Sequence, residues 1–459
     1  MTELSNTELK NIPQEALGGS LRDFRAPQGA DLIGRARVFY DWQNKRRQSR
    51  LWPYARSTET APVARCDAKS DDGRNFSGIN FASQDYLSLS SHPDIKAAAI
   101  GAAEKYGVHS AGSAALLGNT ANSLGLEKEL SDFIFGREIV LYPTGWAAGY
   151  GAIQGFVRPD DHIVMDILAH SCLQEGAKAS TSNIHYHGHL NLSAIEKRLQ
   201  RIRAKDTDNA ILVVTESLFS MHSDSPDIGA VRALCNEYNA SLLVDVAHDL
   251  GCMGPDGYGI VGLQNMTDAA DIIIGSFSKT FASNGGFVAV RDKASAEYLK
   301  YYSASHTFSN ALSPVQAAAV RESLRIVRSA EGRQRREKLM ANILELRAAM
   351  EKAGLDVLGD PSPIVPVNVG LEPVGRFAAR ELEALGGIAN LVEYPAVPQG
   401  NARFRFQVMA DHTKEDVHGV TWILQQAMWM AQEEWRTITE SGGNGAGFAK
   451  ANISETKVA

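Results

Sequence analysis

Asp271-Ile272-Ile273-Ile274-Gly275-Ser276-Phe277-Ser278-Lys279-Thr280-Phe281-Ala282-Ser283-Asn284-Gly285-Gly286 is an apolar run that ends in two serines and a lysine, then a turn closed by two glycines. Three consecutive isoleucines bounded by glycine read as the body of a buried strand, so residues 271–275 are predicted to be one. Working outward, the same signature recurs at 138–142, 162–166, 210–215, 241–245 and 286–291. Each run is short and β-branched, is followed by small polar residues, and is separated from the next by an amphipathic helical pattern. This alternation predicts an α/β fold with a large, mostly parallel sheet covered by helices, whose ligands bind at the strand ends. A helical stretch over 314–354 leads to a last segment, 355–433, with strand and helix signals of its own. The expected organisation is an N-terminal extension (1–75), a large domain (76–325), a smaller C-terminal α+β domain (326–440) and a glycine-rich, disordered tail (441–459).

The chain has 459 residues with 46 Lys plus Arg against 53 Asp plus Glu, a formal charge of −7, and is 44% hydrophobic. Such a composition excludes a small disulfide scaffold and argues against a nucleic-acid binder. Cys66, Cys172, Cys235 and Cys252 are widely spaced, with no C-x-x-C pair, which suits a reducing compartment. No apolar run approaches the roughly 18 residues of a spanning helix, and the start of the chain lacks a signal-peptide pattern. A soluble, cytoplasmic protein is expected. Lys45, Arg46, Arg47, Arg50 and Arg56 with Trp42, Trp52 and Tyr54 form a basic-aromatic cluster. It reads as a helix packed through its aromatics with a solvated basic face, the alternative being a patch for nucleic acid or lipid, and such a face could also dock an acidic carrier.

Lys279 follows its strand directly, beside the hydroxyls of Ser276 and Ser278. A single amine with neighbouring hydroxyls at the mouth of a sheet suits a phosphate-bearing aldehyde cofactor, pyridoxal 5′-phosphate, that condenses with the amine. Upstream, the apolar run from Ser241 ends in Asp245, and His248 follows three residues on. A carboxylate against the pyridine nitrogen keeps it protonated, and His248 can reach the ring's phenolic oxygen. The lysine motif alone is weak, and D-x-x-H alone is an ordinary strand-end turn. Two such motifs, each ending its own strand, point to one site.

Further motifs stand in a consistent order. They are Asn80-Phe81-Ala82-Ser83-Gln84-Asp85-Tyr86-Leu87-Ser88-Leu89, Tyr142-Pro143-Thr144-Gly145-Trp146, Asp166-Ile167-Leu168-Ala169-His170-Ser171 and Val214-Thr215-Glu216-Ser217-Leu218-Phe219-Ser220-Met221-His222-Ser223-Asp224. Together with Phe308-Ser309-Asn310-Ala311-Leu312-Ser313-Pro314 and the stretch from Pro395 to Arg405, they resemble the α-oxoamine synthases, over roughly Asn80 to Gln432. The resemblance implies a fold-type I pyridoxal-phosphate transferase, aspartate aminotransferase-like, that condenses an amino acid with an acyl thioester and releases carbon dioxide and thiol. The thioester would be carried by coenzyme A or an acyl-carrier protein.

Position by position, the resemblance implies that Lys279 bonds the cofactor, Asp245 pairs with the ring nitrogen and His170 stacks on the ring. His248 and Ser220 would hydrogen-bond around the ring oxygen. Gly145, Trp146 and Ser276 would hold the phosphate, with Ser278 a weaker candidate. Ser309 would reach the phosphate of a neighbouring subunit, which implies a homodimer with shared sites. Arg403 would clamp the amino-acid carboxylate, a task that suits a planar guanidinium, with Arg405 beside it.

Departures bear on substrate choice. Ala114 stands where many members have an arginine, Ser123 where a histidine is common, Gln84 for asparagine, Ser88 for glycine and Val246 for an acid. Gln407 replaces a common hydroxyl residue. The stretch Ala114 to Leu117 is expected either to make an apolar acyl channel for an uncharged or longer chain, or to be a helix start packed on the sheet. His185, His187 and His189 alternate as a metal-binding strand would, but no carboxylate follows at a useful spacing. The rival outcomes are another reaction of the same cofactor, such as aminotransfer, decarboxylation or aldol-type addition, or a non-catalytic partner subunit. Retention of Lys279, Asp245, His248 and His170 argues against the last.

Overall fold

A computed structural model gives the fold and describes residues 12–440. The stretch 441–459, read above as a tail, lies outside the described residues. The chain divides into two compact units, Gln84–Met340 and a second built from the residues up to Ser83 and those from Ala341 onward. The N-terminal stretch therefore groups with the C-terminal segment instead of standing apart from it.

In chain order the strands are β1 (Ser57–Thr58), β2 (Arg65–Lys69), β3 (Asn75–Asn80), β4 (Glu138–Tyr142), β5 (His162–Asp166), β6 (Ile184–His187) and β7 (Ile211–Glu216). They continue with β8 (Ser241–Asp245), β9 (Ile272–Ser276), β10 (Gly286–Val290), β11 (Ile364–Gly370), β12 (Gly387–Ile388), β13 (Asn390–Val392) and β14 (Ala402–Gln407). The unit Gln84–Met340 holds a seven-stranded sheet in the order β4-β10-β9-β8-β7-β5-β6. Strand β10 runs antiparallel to both its neighbours, and every other pair is parallel. Burial on both faces explains the apolar runs: every residue of β7 and of β10 is buried.

The helix Gly145–Phe156 lies against this sheet through Ala148, Ala152 and Ile153, all fully buried, so small side chains let its backbone approach closely. Helix starts follow capping chemistry. The side chains of Thr144, Asn191, Asp227, Asp292 and Ser313 each accept a backbone N–H of the first turn. The predicted single helix over 314–354 is instead two, Pro314–Val327 and Ala330–Lys352. Ser329 ends the first by donating its hydroxyl to the Ile326 carbonyl (2.7 Å), and it accepts the Gly332 N–H (3.3 Å). A Cβ on Gly332 would lie 2.5 Å from the Val327 carbonyl oxygen, so the close turn between the two helices needs glycine there.

The other unit carries a four-stranded sheet, β1-β2-β3-β12, and an antiparallel three-stranded sheet, β11-β14-β13. Helices Glu372–Ala384 and Lys414–Glu440 pack on each other there. The predicted aromatic helix is Arg37–Gln48, with Trp42 buried among Phe24, Phe39 and Trp52. Its basic face is not simply solvated. Arg46 is 1% exposed, stacks over Trp42 and donates to the Gly18 and Gly19 carbonyls, while Arg47 pairs with Asp71 and Lys45 with Glu15. Arg56 donates to the Ala389 carbonyl. Most of this cluster is therefore committed to holding its own unit together. Among the described residues, no helix is long and apolar enough to cross a membrane.

Candidate active site

Within Gln84–Met340, the C-terminal ends of β5, β7 and β8 stand side by side, and each strand ends in an acid: Asp166, Glu216 and Asp245. Glu216 and Asp245 are direct partners across the β7–β8 ladder. Asp245 is 8% exposed and accepts the Ala247 N–H (2.9 Å). Burial raises its pKa, and the electrostatic influence of His170 and Lys279 opposes that rise. Lys279 and His170 thus act electrostatically on the carboxylate that the sequence assigns to the ring nitrogen.

His170 starts the helix Ser171–Ser180, and its backbone N–H donates to Glu216 Oε1 at 2.6 Å. Its Nδ1 lies 3.0 Å from Cys172 Sγ and accepts the Cys172 N–H. Burial pushes the Cys172 thiol well up, so the sulfur keeps its proton and donates it to Nδ1. The remaining ring proton then sits on Nε2, which fixes the tautomer of His170. Burial, reinforced by the Asp245 charge, holds the Glu216 carboxyl well above its ordinary range.

His248 is buried, and its Nδ1 lies 2.8 Å from the hydroxyl of Tyr86, itself fully buried. Below it, Asp249 accepts from the Ser217 hydroxyl (2.6 Å) and the Ile260 N–H (2.6 Å), and the Ser217 hydroxyl is also 3.0 Å from the Asp245 carbonyl. Burial lifts Asp249 to about 7. Tyr86, Cys172, Glu216, Ser217 and Asp249 carry no assignment in the sequence reading, although four of the five lie inside motifs quoted there or next to His248. The missing signal is contact across strands, which spacing along one strand does not reveal.

The residues predicted to hold the phosphate lie where backbones approach closely. A Cβ on Gly145 would sit 2.5 Å from Ser276 Oγ, and one on Gly286 would sit 2.6 Å from the Gly145 Cα. The Ser276 and Ser278 hydroxyls are 2.7 Å apart. Gly145 opens a helix of 12 residues, whose first N–H groups lack helical acceptors and carry the positive end of its dipole. A cradle kept open by glycine, lined by hydroxyls and faced by a helix N-terminus fits the phosphate of pyridoxal 5′-phosphate, with Lys279 three residues after Ser276. Trp146 is half-exposed and stacks on Tyr150 at 5.3 Å.

Ser220 lies in a tight turn closed by the Phe219–Asp224 bridge. Ser309 follows Phe308, which is 87% exposed, and Ser113 pairs with Asn310 beside it. Gln84 is half-buried at the start of this unit. Ser88, in place of a glycine, has φ of 55°, the left-handed backbone that glycine adopts without strain. Ala114 is half-buried in a loop; the nearest helix begins only at Ala121, so the reading of this stretch as a helix start is corrected. Leu116 and Leu117 are 87% and 91% exposed, and so do not line a closed channel in the single chain. Ser123 is spent in the capping box of that helix, with Thr120. Arg403 and Arg405 lie in the other unit, on β14, and both are buried. Gln407 is buried on the same face of that strand.

The alternating histidines separate. His185 pairs with His162, which pairs with Asp206; His187 meets the Gly188 carbonyl; His189 lies between Asp166 and Asp224.

Residues 77–421 match the family model for aminotransferase class I and II. The chain is 35% identical to 8-amino-7-oxononanoate synthase of Klebsiella pneumoniae over 74% of its own length and 86% of that protein's. It is 31% identical to 4-hydroxy-2,2′-bipyrrole-5-methanol synthase of a Serratia species over 87% of its length, but it spans only 60% of that relative. Among solved structures, serine palmitoyltransferase of S. paucimobilis superposes with a TM-score of 0.82 at 25% identity, covering 88% of this chain and 99% of that one. The chain belongs to the aminotransferase class I and II family, in its α-oxoamine synthase branch. It is a pyridoxal-phosphate-dependent acyltransferase of the fold-type I architecture.

Proposed function

We propose that this chain joins the Cα of an amino acid to the acyl carbon of a thioester, as a cytoplasmic homodimer, with the site residues in the roles given below. In the overall change a Cα–H and the Cα–carboxylate bond break, the Cα–acyl bond and a new Cα–H bond form, and the thiol leaves with the electron pair of the C–S bond and takes up a proton, one proton in all coming from solvent. The products are an α-aminoketone, carbon dioxide and free thiol. When bound, pyridoxal 5′-phosphate supplies a conjugated electron sink for the negative charge that develops at Cα.

The protein's own residues set the conditions for that sink. Asp245 holds a proton at the pyridine nitrogen. His170, its tautomer fixed by Cys172, offers a flat face to the ring. Lys279 carries the cofactor covalently and, once released, moves the Cα proton. His248, braced by Tyr86, and Ser220 address the ring oxygen. Gly145, Trp146, Ser276 and Ser278 receive the phosphate, and Arg403, with Arg405, orients the amino-acid carboxylate so that the right Cα bond stands perpendicular to the ring.

The observation that carries the reading is the side-by-side placement of Asp245 and Glu216, with His170 and Lys279 acting on the former and a glycine-kept cradle at Ser276. Ala114 removes a cation from a position where many relatives place one, which favours an uncharged acyl group. A homodimer is supported by apolar surface left exposed at Val108, Leu116, Leu117 and Phe308, beside Ser309. Four free, buried thiols suit a reducing interior.

The test starts with borohydride reduction of cofactor-loaded protein and peptide mass mapping, which should place the reduced adduct on Lys279. A panel of amino acids with pimeloyl, succinyl and fatty acyl thioesters should then release thiol and carbon dioxide in equal amounts, fastest with the uncharged chains. An adduct elsewhere, or amino-group exchange without thiol release, overturns the reading.

A further inference from the structure

We propose that His189 is a positioning residue for the cofactor site: as a cation bonded through both ring nitrogens, it ties the loop that carries His170 to the loop that carries Ser220. The inference rests on the reading above, in which those two loops face the cofactor.

His189 lies just beyond β6. Its Nδ1 is 3.1 Å from both oxygens of Asp166, and its Nε2 is 3.1 and 3.0 Å from the oxygens of Asp224. Carboxylates on both sides leave neither nitrogen an acceptor's role, so both carry protons and the ring is charged. Burial works against that charge, but the hydrogen bonds to Asp166 and Asp224 outweigh it and hold the ring's pKa up at about 9. Asp166 is 1% exposed and also accepts the N–H groups of Leu168 and Leu190, both at 2.9 Å. Phe219 presents its ring edge-on to His189 at 4.6 Å, and His222 lies at 5.2 Å.

The placement matters more than the bond count. Asp166 stands four residues before His170, and Asp224 four residues after Ser220. Asp166 is the last residue of β5 and, through the Leu168 N–H, fixes the first turn of the loop that ends at His170. Asp224 closes the Phe219–Asp224 turn around Ser220. One cation thus holds the bases of two loops from two different strands at a set separation. The histidine that looks like a metal ligand in the sequence is used as a charged strut. Without it, two carboxylates face one another with no counter-charge, and the loops are pushed apart.

The test compares His189→Gln and the double variant His189→Gln/Asp224→Asn with the wild type, all as full-length protein. The melting temperature of the cofactor-free protein and its far-ultraviolet circular dichroism report folding. The dissociation constant for pyridoxal 5′-phosphate and the visible circular dichroism of the bound cofactor report the site. His189→Gln is expected to weaken cofactor binding about tenfold and shrink the visible dichroic band, and removing the second charge should recover about threefold of that loss. Cofactor affinity and dichroism within twofold of wild type, with only the melt lowered, overturn the inference. If His189→Gln does not fold, Asp224→Asn alone, which keeps the Asp166–His189 pair, must weaken the cofactor about threefold for the inference to stand. Borohydride trapping on the wild type separates the two readings. Failure to label Lys279 removes the proposed function, whereas labelling with an indifferent His189 variant removes only the strut.

Discussion

Replacing Glu216 by Gln tests whether one carboxyl of the strand-end pair is neutral. Glu216 is 4% exposed, is the ladder partner of Asp245, and accepts the His170 N–H at 2.6 Å. Burial, then the Asp245 charge, raises its pKa well above 4.5. Between the unfolded and folded values the unfolded chain ionises while the folded one keeps its proton, so the wild type loses stability as pH rises. Gln is neutral throughout and keeps an oxygen for the His170 N–H. At pH 5 the two proteins should therefore agree within about 1 kcal/mol. Each pH unit between the unfolded and the folded value should favour the Gln variant by rather more than about 1 kcal/mol. Urea unfolding of the cofactor-free proteins at pH 5, 6 and 7, with equal m-values, reads the difference as midpoint shifts. A difference that stays flat, or that moves toward the wild type as pH rises, would refute a protonated Glu216 and with it the claim that the pair carries a single negative charge.

Two further outcomes follow from packing. Gly145→Ala puts a Cβ 2.5 Å from Ser276 Oγ, so equilibrium titration should show cofactor binding at least about tenfold weaker, with about 1–3 kcal/mol lost in urea melts; unchanged affinity would mean that the cradle is not where the phosphate sits. Glu393→Gln strands two cations, since Glu393 lies 2.6 Å from Arg376 Nε and 3.9 Å from Arg46, whose side chains are 2% and 1% exposed. It also weakens the acceptor for the Tyr54 hydroxyl. A loss of about 3–5 kcal/mol is expected, with faster proteolysis of the segment around Gly18, because both arginines also hold its carbonyls; a loss under about 1 kcal/mol would show that the cluster contributes no net stability.

The sheet was legible because a fully buried strand has to be apolar throughout: β4, β5 and β8 fall on the predicted residues, and β7 and β9 are displaced by one. Lys279 and Asp245 of the candidate site are legible for the same reason, since polar residues that end such runs stand out. Interactions decided across space were not. The helical pattern through Arg328 and Ser329 is continuous in composition, and the bonds made by the Ser329 hydroxyl with the close backbone approach at Gly332 break it. Arg46 looks like any surface cation until Trp42, Glu393 and the Gly18 carbonyl surround it. Ala114 to Leu117 read as apolar, but the sequence does not say that the leucines face solvent in a single chain.

The three acids that end neighbouring strands show how one sheet edge supplies different charges from the same chemistry. Asp166 meets a cationic ring and two backbone N–H groups, which together outweigh its burial and hold its pKa low. Glu216 is buried beside a second carboxyl, and its one N–H does not offset them, so its pKa is driven up. Asp245 sits between these conditions, with burial raising its pKa while His170 and Lys279 lower it. An ionised Asp166 thus anchors the His170 loop, and a neutral Glu216 accepts the His170 N–H without adding charge. Asp245 is left as the carboxylate whose charge responds to a cation brought near it. A pyridinium nitrogen is such a cation, and the raised Glu216 carboxyl on β7, with the His189 cation on Asp166 of β5, keeps these strand ends from holding three uncompensated negative charges at once.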